Sequence, residues 1–257
     1  MSEPITRWRF TQASLSSLVT AALLQTLVEH DALGDKVKPI TEKWLKELST
    51  LCKDLKATDS GHARDNQIAW QKKVEEMFSK VELTEMLGLI DFQKLEQAAK
   101  LKEQGESSTP IVFPTIEGLG DNLGFGRQLF AVKKDRSIAP HGHNNMATAF
   151  YVLKGQFRGR LYDRVEDVEG HMIVKPTLDR SFGVGEASTI SDFKDNVHWF
   201  QGLSETAFIF NIHVMDVTPG SAKETKRVYI DPNGEKLSGG LVKARVLNGN
   251  EAYKLYG

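Results

Sequence analysis

The feature that most constrains the fold of this chain is a change of hydrophobic periodicity near residue 105. Before it, apolar residues recur at three- and four-residue steps, which places them on one face of a helix. Asp31, Gly34 and the stretch 57–61 interrupt the pattern, so it predicts four or five helices with short connections. The clearest stripes are Ile40, Trp44, Leu48, Leu51 and Leu55; Val74, Met77, Phe78 and Val81; and Phe92, Leu95, Ala98, Ala99 and Leu101.

The second half of the chain has the composition of short strands. Gly105–Pro114 (GESSTPIVFP) holds two prolines, two serines and a glycine, which is typical of a linker. The runs that follow are rich in Val, Ile, Phe and Tyr, and glycines separate them: Gln128–Lys133, Ala149–Leu153 and Phe208–Val214. Many short strands without helices between them favour an antiparallel barrel or sandwich. We predict a helical region over 1–104, a linker over 105–117 and a β domain over 118–257.

Composition places the chain among globular proteins and argues against some partners. It has 257 residues, of which 40% are hydrophobic and 26% charged, so it can bury a sizeable core. Its 33 basic and 34 acidic residues give a formal charge of −1, and we expect no nucleic acid as main partner. The single cysteine excludes a disulfide framework and is compatible with a reducing compartment.

The segment from Thr11 to Val28 has some features of a targeting signal. It carries no charge and follows Arg7 and Arg9. Polar residues interrupt the apolar run, however, and no small-residue cleavage site follows. The leucines between Leu15 and Leu27 fall on roughly one helical stripe, which predicts an amphipathic helix. We therefore expect a cytoplasmic protein with no membrane segment.

Two of the seven histidines stand one residue apart at the entry to an apolar run. In a strand, His141 and His143 would project from the same face, because side chains alternate between faces. Gly142 between them leaves the opposite face bare. Two imidazoles on one face can share a metal ion, although paired histidines can equally form a polar edge.

The spacing after this pair resembles the first motif of the cupin family. In that motif a glutamate follows the paired histidines and a glycine comes six residues further on; here Thr148 stands in place of the glutamate, and Gly155 follows. His198, in DNVHWFQG, resembles the histidine of the second cupin motif. The resemblance implies a cupin-type antiparallel β-barrel, which is a double-stranded β-helix or jelly roll. With the helices before it, the expected fold class is α+β.

Three histidines without the glutamate also resemble a narrower group, the thiol dioxygenases of the cysteine dioxygenase type. The stretch VHWFQGLSETAFIFNIHVMDVTP is similar to the corresponding part of that group. The resemblance implies that His141, His143 and His198 hold ferrous iron, with O₂ and a small molecule such as a thiol as substrates. It also makes His213 a candidate catalytic residue near the metal.

The chain departs from that group at positions that bear on the substrate. Asn211 and Met215 stand in the places of its serine and tyrosine, and Thr148 stands in the place of the cysteine that the tyrosine cross-links in animal enzymes. The cross-link therefore cannot form. No arginine lies at the family's carboxylate-binding position, although Arg127 and Arg160 are available, which argues against cysteine as the substrate.

These considerations give a set of candidate site residues. We predict three metal ligands and three catalytic residues: His141, His143 and His198, and His213, Arg127 and Tyr151. We predict six residues that contact the substrate: Thr148, Phe150, Arg160, Phe200, Asn211 and Met215. We expect hydrogen-bond partners for the ligand rings among Asn144, Asn145, Asp192, Asn196 and Gln201.

Three neutral imidazoles leave about three open positions on an octahedral ion, which suits an enzyme that binds both a substrate and O₂. Fe²⁺ is the first choice, with Zn²⁺, Ni²⁺ or Mn²⁺ as alternatives. The function predicted first is an iron dioxygenase. The alternatives are another metal-dependent cupin enzyme (an isomerase, lyase or hydrolase) and a non-catalytic module that binds a small ligand. Because cupins often form dimers, a homodimer is also expected.

Overall fold

A computed structural model describes residues 42–57 and 60–257, so the helix predicted around Leu15–Leu27 lies outside the described residues. The helical stripes predicted between residues 44 and 98 do lie in helices. The helix Ala63–Phe78 ends before the predicted Val81, however, and the helix Phe92–Ala98 ends before the predicted Leu101. No helix in the described part of the chain is long and apolar enough to cross a membrane. The helices are α1 (42–57), a 3-10 turn (Ser60–His62), α2 (Ala63–Phe78), α3 (Leu83–Leu89), α4 (Phe92–Ala98) and, near the C-terminus, α5 (Gly249–Tyr256).

The strands follow the first four helices. They include the three runs predicted from composition, each extended by one to several residues. Their bounds are β1 (Ser107–Pro110), β2 (Gly126–Lys133), β3 (Ser137–Asn144), β4 (Met146–Lys154), β5 (Phe157–Val168), β6 (His171–Phe182), β7 (Ala187–Ile190), β8 (Val197–Gly202), β9 (Thr206–Met215), β10 (Lys226–Lys236) and β11 (Val242–Leu247), with a 3-10 turn (Ser238–Gly240) before the last.

These strands form two antiparallel layers that enclose a barrel interior. One layer is a five-stranded sheet in the order β1-β2-β9-β4-β7, and the other strands close in the order β10-β11-β6-β5-β8-β3. The predicted fold class is confirmed: helices are followed by an antiparallel β-barrel. Ser107–Pro110, inside the predicted linker, is a strand at the sheet edge that pairs with β2. An edge position tolerates Pro110, which has no N–H to donate.

The helices α1–α4 pack on the outer face of the five-stranded sheet. Phe78 of α2 joins the layers: its ring stacks on Tyr151 of β4 at 5.1 Å between centroids and meets Trp44 of α1 edge-on at 5.4 Å. The indole N–H of Trp44 donates to the Met77 carbonyl at 3.2 Å. Helix and sheet residues therefore share one apolar core.

The inner face of the same sheet supplies one wall of the barrel interior. Because side chains alternate along a strand, Phe150 and Val152 of β4 point inward while Tyr151 between them points to the helices. Phe200 of β8 packs on Phe150 across the barrel at 5.0 Å between ring centroids. The barrel interior thus contains its own hydrophobic cluster, which is separate from the core between the helices and the sheet.

Candidate metal centre

Three histidines converge in the barrel interior, as the resemblance to the cupin motifs implied. His141 and His143 of β3 point inward together, and His198 of β8 is the direct cross-strand partner of His141. The His141 ring lies 4.1 Å from that of His198 and 5.0 Å from that of His143, and the last two rings are also 5.0 Å apart. All three are almost completely buried. One ring nitrogen from each lies within 4.8 Å of the others, so the group could hold a metal ion.

Hydrogen bonds orient the rings of this triad. Nδ1 of His141 lies 2.7 Å from the Ala139 carbonyl, so it carries the proton and leaves Nε2 with its lone pair. Nδ1 of His143 lies 3.3 Å from the Thr148 hydroxyl. Thr148, at the position of the family's glutamate, therefore contacts a ligand ring. The partners in these two hydrogen bonds are Ala139 and Thr148, and neither is among the five polar residues predicted from the sequence as partners of the rings.

The remaining ring nitrogens suit a cation. Nε2 of His141, Nε2 of His143 and Nδ1 of His198 are buried and have no hydrogen-bond partner among the described residues. A buried polar atom without a partner is costly, and one such nitrogen on each of three adjacent rings is explained by a shared ligand. The residues present therefore fit a divalent metal ion bound by three imidazoles.

The electrostatics of the pocket keep these rings neutral. Burial lowers the pKa of His198 to about 3, and the positive charge of Arg227 acts in the same direction. Burial likewise holds the pKa of His141 and the pKa of His143 well below the ordinary value, with His198 and Arg227 adding to the effect. A neutral imidazole is the form that binds a metal, so the triad does not have to release protons first.

The triad lies in a cavity of about 180 Å³ between the two layers. None of the described residues that line it is acidic. The five-stranded sheet contributes Gln128, Phe130, Met146, Thr148, Phe150, Asn211, His213 and Met215, and the other layer contributes Ile138, His141, His143, His198 and Arg227.

Several predicted site residues lie in this cavity, facing the triad from the opposite sheet. His213 of β9 is half-buried, and its ring lies against Gly126, where a side chain would overlap it. Burial, followed by the charge of Arg227, lowers the pKa of His213, so it is a neutral base at neutral pH. Asn211 is buried with its side-chain carbonyl unpartnered, and Met215 is 43% exposed at the cavity mouth.

Four residues that were predicted as site residues do not line the cavity. Three of them point to the outer faces of their strands, and the fourth lies too deep in the barrel. Tyr151 points into the helix layer, where its hydroxyl donates to the Val81 carbonyl at 3.3 Å. Arg127 lies over Phe113, on the outer side of its strand. The guanidinium of Arg160 lies 4.0 Å from the Trp199 ring centroid, on the outer face of the barrel.

Phe200, the fourth, lies beneath the triad. It is 1% exposed, and its ring centroid is 6.1 Å from that of His198, so it supports the metal site from below. It does not belong to the cavity lining. A substrate in the cavity would therefore meet Phe150, whose ring is 5.1 Å from that of His198, before it could reach Phe200.

Arg227 is a site residue that the sequence did not reveal. It lies on β10, directly across from His143 in the strand register, and lines the cavity. Its guanidinium pairs with the buried Glu106 at 3.1 Å, and the Tyr253 hydroxyl donates to the same carboxylate at 2.9 Å. Burial acts to lower the pKa of Arg227, but the Glu106 charge and Tyr229 outweigh it and raise the pKa overall. The cavity therefore keeps a fixed positive charge.

Comparison with known proteins gives distant likenesses. No protein-family model matches the chain, and no curated protein matches it. A cupin superfamily protein from Desulfitobacterium hafniense DCB-2 is 12% identical over 48% of this chain and 88% of its own, with a TM-score of 0.32. KdgF from Halomonas sp. is 15% identical over 42% of this chain and 77% of its own, with a TM-score of 0.30.

An 11S globulin also occurs among these likenesses. Procruciferin, an 11S globulin from Brassica napus, is 11% identical over 42% of this chain, with a TM-score of 0.32. The match spans only 23% of the procruciferin chain. Likenesses at these levels carry no argument about activity, so the function has to be argued from the triad and its cavity.

Proposed function

We propose that this protein is a metal-dependent cupin enzyme that oxidises a small molecule with O₂, using ferrous iron at His141, His143 and His198. The observation that carries the proposal is the convergence of three buried histidines, each of which places one ring nitrogen within 4.8 Å of the others and has one ring nitrogen without a hydrogen-bond partner. Ferrous iron bound there would supply the redox chemistry that O₂ requires, and a ligand set with no carboxylate would leave it open positions. Zn²⁺, Ni²⁺ and Mn²⁺ are the alternative ions.

The cavity supports a small, anionic substrate. Its volume of about 180 Å³ excludes large molecules. Arg227 presents a positive charge, and Gln128 and Asn211 present amides that can orient a polar group. Because the lining has apolar walls, charge attraction inside it is stronger than in water. A thiolate or an enolate meets these requirements.

His213 is positioned to handle the proton of such a substrate. It lies across the cavity from the triad, close enough for its charge to affect the pKa of His143. Since its own pKa is lowered, it is neutral and can accept a proton from a thiol or an enol as the substrate binds. Because burial and the Arg227 charge disfavour a protonated ring, the proton would pass from the half-buried His213 to solvent, and the substrate would remain as the anion near Arg227.

A zinc enzyme that uses its ion as a Lewis acid is the second candidate. Three histidines and a water are a common ligand set of catalytic zinc, and an isomerase, lyase or hydrolase would use it. A small-ligand-binding module without catalysis would retain the barrel and need no metal. Metal content and oxygen consumption together distinguish the three.

The first experiment is elemental analysis of protein purified without added metal. We expect about one equivalent of iron in the wild type, no bound metal in His141→Ala, and wild-type content in His171→Ala. His171 begins β6 outside the cavity and serves as the matched control. Equal metal in wild type and His141→Ala would refute the ligand set, and zinc alone would favour the Lewis-acid enzyme.

The second experiment is oxygen consumption by the iron-loaded protein with a panel of thiols and diketones. We expect uptake with a small anionic member of the panel, and a raised KM for it in Arg227→Met. No uptake with any member, in a protein that holds iron, would argue against the dioxygenase. We also propose a cytoplasmic location and a homodimer; sedimentation of the full chain tests the latter.

A further inference from the structure

The side chain of Asn196 holds the backbone of a metal ligand from both sides. Its Nδ2 donates to the His143 carbonyl at 3.0 Å, and its Oδ1 accepts from the His143 N–H at 3.3 Å. The same Nδ2 donates to the Ser191 carbonyl at 2.9 Å. Asn196 is 1% exposed, so water does not compete for these bonds. The amide therefore takes the place of a neighbouring strand at this point of β3.

Gly142 makes this contact possible. A Cβ atom added to Gly142 would lie 2.6 Å from Oδ1 of Asn196 and 3.1 Å from Cγ2 of Val197. Oδ1 cannot move aside without breaking its bond to His143. The absence of a side chain between the two ligand histidines is thus explained by the approach of Asn196 to the strand.

Asn196 is also close to a second ligand along the chain, because only Val197 separates it from His198. One residue therefore contacts the backbone of His143 through its side chain and leads directly into the strand that carries His198. His143 lies on β3 and His198 lies on β8. The pairing of these two strands ends at His141, so no residue of β8 pairs with His143.

The turn that carries Asn196 is anchored on its other sides. The backbone N–H of Asp195, which has φ +54°, donates to the Asp163 carboxylate at 2.8 Å. The backbone N–H of Asp192 donates to the Gln67 side chain of α2 at 2.9 Å. The Asn196 amide is thus held by a rigid turn, and its bonds can fix the position of His143.

We infer that Asn196 is a positioning residue that sets the spacing between His143 and His198 and thereby the affinity of the triad for a metal ion. This inference rests on the metal site of the proposed function but not on oxidation of any substrate. Asn196 acts through backbone groups, unlike Thr148, which contacts a ring nitrogen. Loss of the Asn196 side chain should lower the affinity of the triad for a metal ion and change the ligand geometry around the bound ion.

The test is titration of the metal-free protein with Co²⁺, whose visible absorption reports the ligand geometry. In Asn196→Ala the dissociation constant should rise about 10- to 100-fold, as for other residues that orient ligands, and the Co²⁺ band should change shape. Gln201→Ala is the matched control, because Gln201 lies on the same strand but on the face away from His198. It should keep the wild-type constant and the wild-type spectrum.

A double-mutant cycle with Gly142→Ala separates positioning from general weakening of the fold. Gly142→Ala should also raise the dissociation constant, because its methyl displaces the Asn196 amide. In the double variant, the rise should be smaller than the product of the two single rises, since the displaced group is already gone. If Asn196→Ala does not fold, Gly142→Ala alone carries the test, because it displaces the amide from His143 without removing the Asn196 side chain.

The outcomes distinguish this inference from the proposed function. Wild-type affinity in Asn196→Ala or in Gly142→Ala, or full multiplication of the two effects, would overturn the role of Asn196 while leaving the metal site intact. A wild-type protein that binds no Co²⁺ would overturn the metal site itself, and the inference with it. If the wild type binds Co²⁺, the variants bind it more weakly as expected, and the iron-loaded protein consumes no O₂, then the role of Asn196 is supported and the dioxygenase is refuted.

Discussion

The metal-free protein should lose stability as the pH falls below neutrality, because three buried histidines stay neutral in the folded state. In the unfolded chain a histidine has a pKa of about 6.5 and takes up a proton in this range. In the folded protein the pKa of His198 is about 3, and the pKa values of His141 and His143 are also well below the ordinary value. Protons therefore favour the unfolded state, and stability present above the unfolded pKa is lost as the pH falls.

The size of the loss follows from these values. Between about pH 7.5 and about pH 5.5, protonation of the unfolded chain costs the folded state about 1 kcal/mol for His198. The lowered pKa values of His141 and His143 act in the same direction, so the triad together accounts for roughly a few kcal/mol. A protein of this kind is typically stable by about 5–15 kcal/mol, and the effect is therefore large enough to measure directly.

The assay is urea unfolding at both pH values in the presence of a chelator, for the wild type and His198→Phe. The new ring would lie beside Phe150 and Phe200. Between the two pH values, we expect the free energy of unfolding of the variant to fall by about 1 kcal/mol less than that of the wild type, which is the contribution of His198. Equal losses in the two proteins would refute the claim that the triad is buried and neutral, and His171→Ala controls for removal of a histidine outside the cavity.

Three further predictions test other parts of the structure. Tyr151→Phe should cost about 1 kcal/mol in urea unfolding, through loss of one buried hydrogen bond, and leave metal content unchanged; a loss of metal would place Tyr151 back in the site. Gly126→Ala should cost about 1–3 kcal/mol and reduce oxygen uptake, because the added methyl overlaps the His213 ring; wild-type behaviour in both assays would contradict this geometry. Burial raises the pKa of the Cys52 thiol to about 12, so a thiol reagent should react with it only after unfolding.

The metal triad could be predicted because each of its signals is local. His141 and His143 share a face through the two-residue period of a strand, and the sequence around His198 resembles a short motif. The strands around them could be recognised from β-branched and aromatic residues between glycines. These signals depend on neighbours in the sequence and not on how distant strands pair.

The orientation of Tyr151 could not be read from the sequence because its strand is buried on both faces. In β4 the run from Ala147 to Leu153 is buried throughout, so its hydrophobicity does not alternate and does not reveal which side faces the cavity. Parity alone would have shown that Phe150 and Tyr151 cannot both contact the substrate. Once Phe150 is assigned to the cavity, Tyr151 belongs to the helix layer.

Arg227 was missed for a different reason. It reaches the cavity because β10 pairs with β3, and these strands are separated by most of the β domain in sequence. Nothing in the run around Arg227 distinguishes it from other charged residues on a strand. Its partner Glu106 lies in the stretch predicted as a linker, so the ion pair joins two segments whose proximity only the closed barrel creates.

The five-stranded sheet is covered by helices on one side and forms the cavity wall on the other. A fragment that began at residue 105 would uncover the aromatic and aliphatic side chains that now meet the helices, among them Tyr151, Phe208 and Phe210. Such a surface would make the isolated barrel prone to self-association. A truncated variant that is meant to retain the cavity should therefore keep α1–α4, even though none of the described residues of these helices lines the cavity.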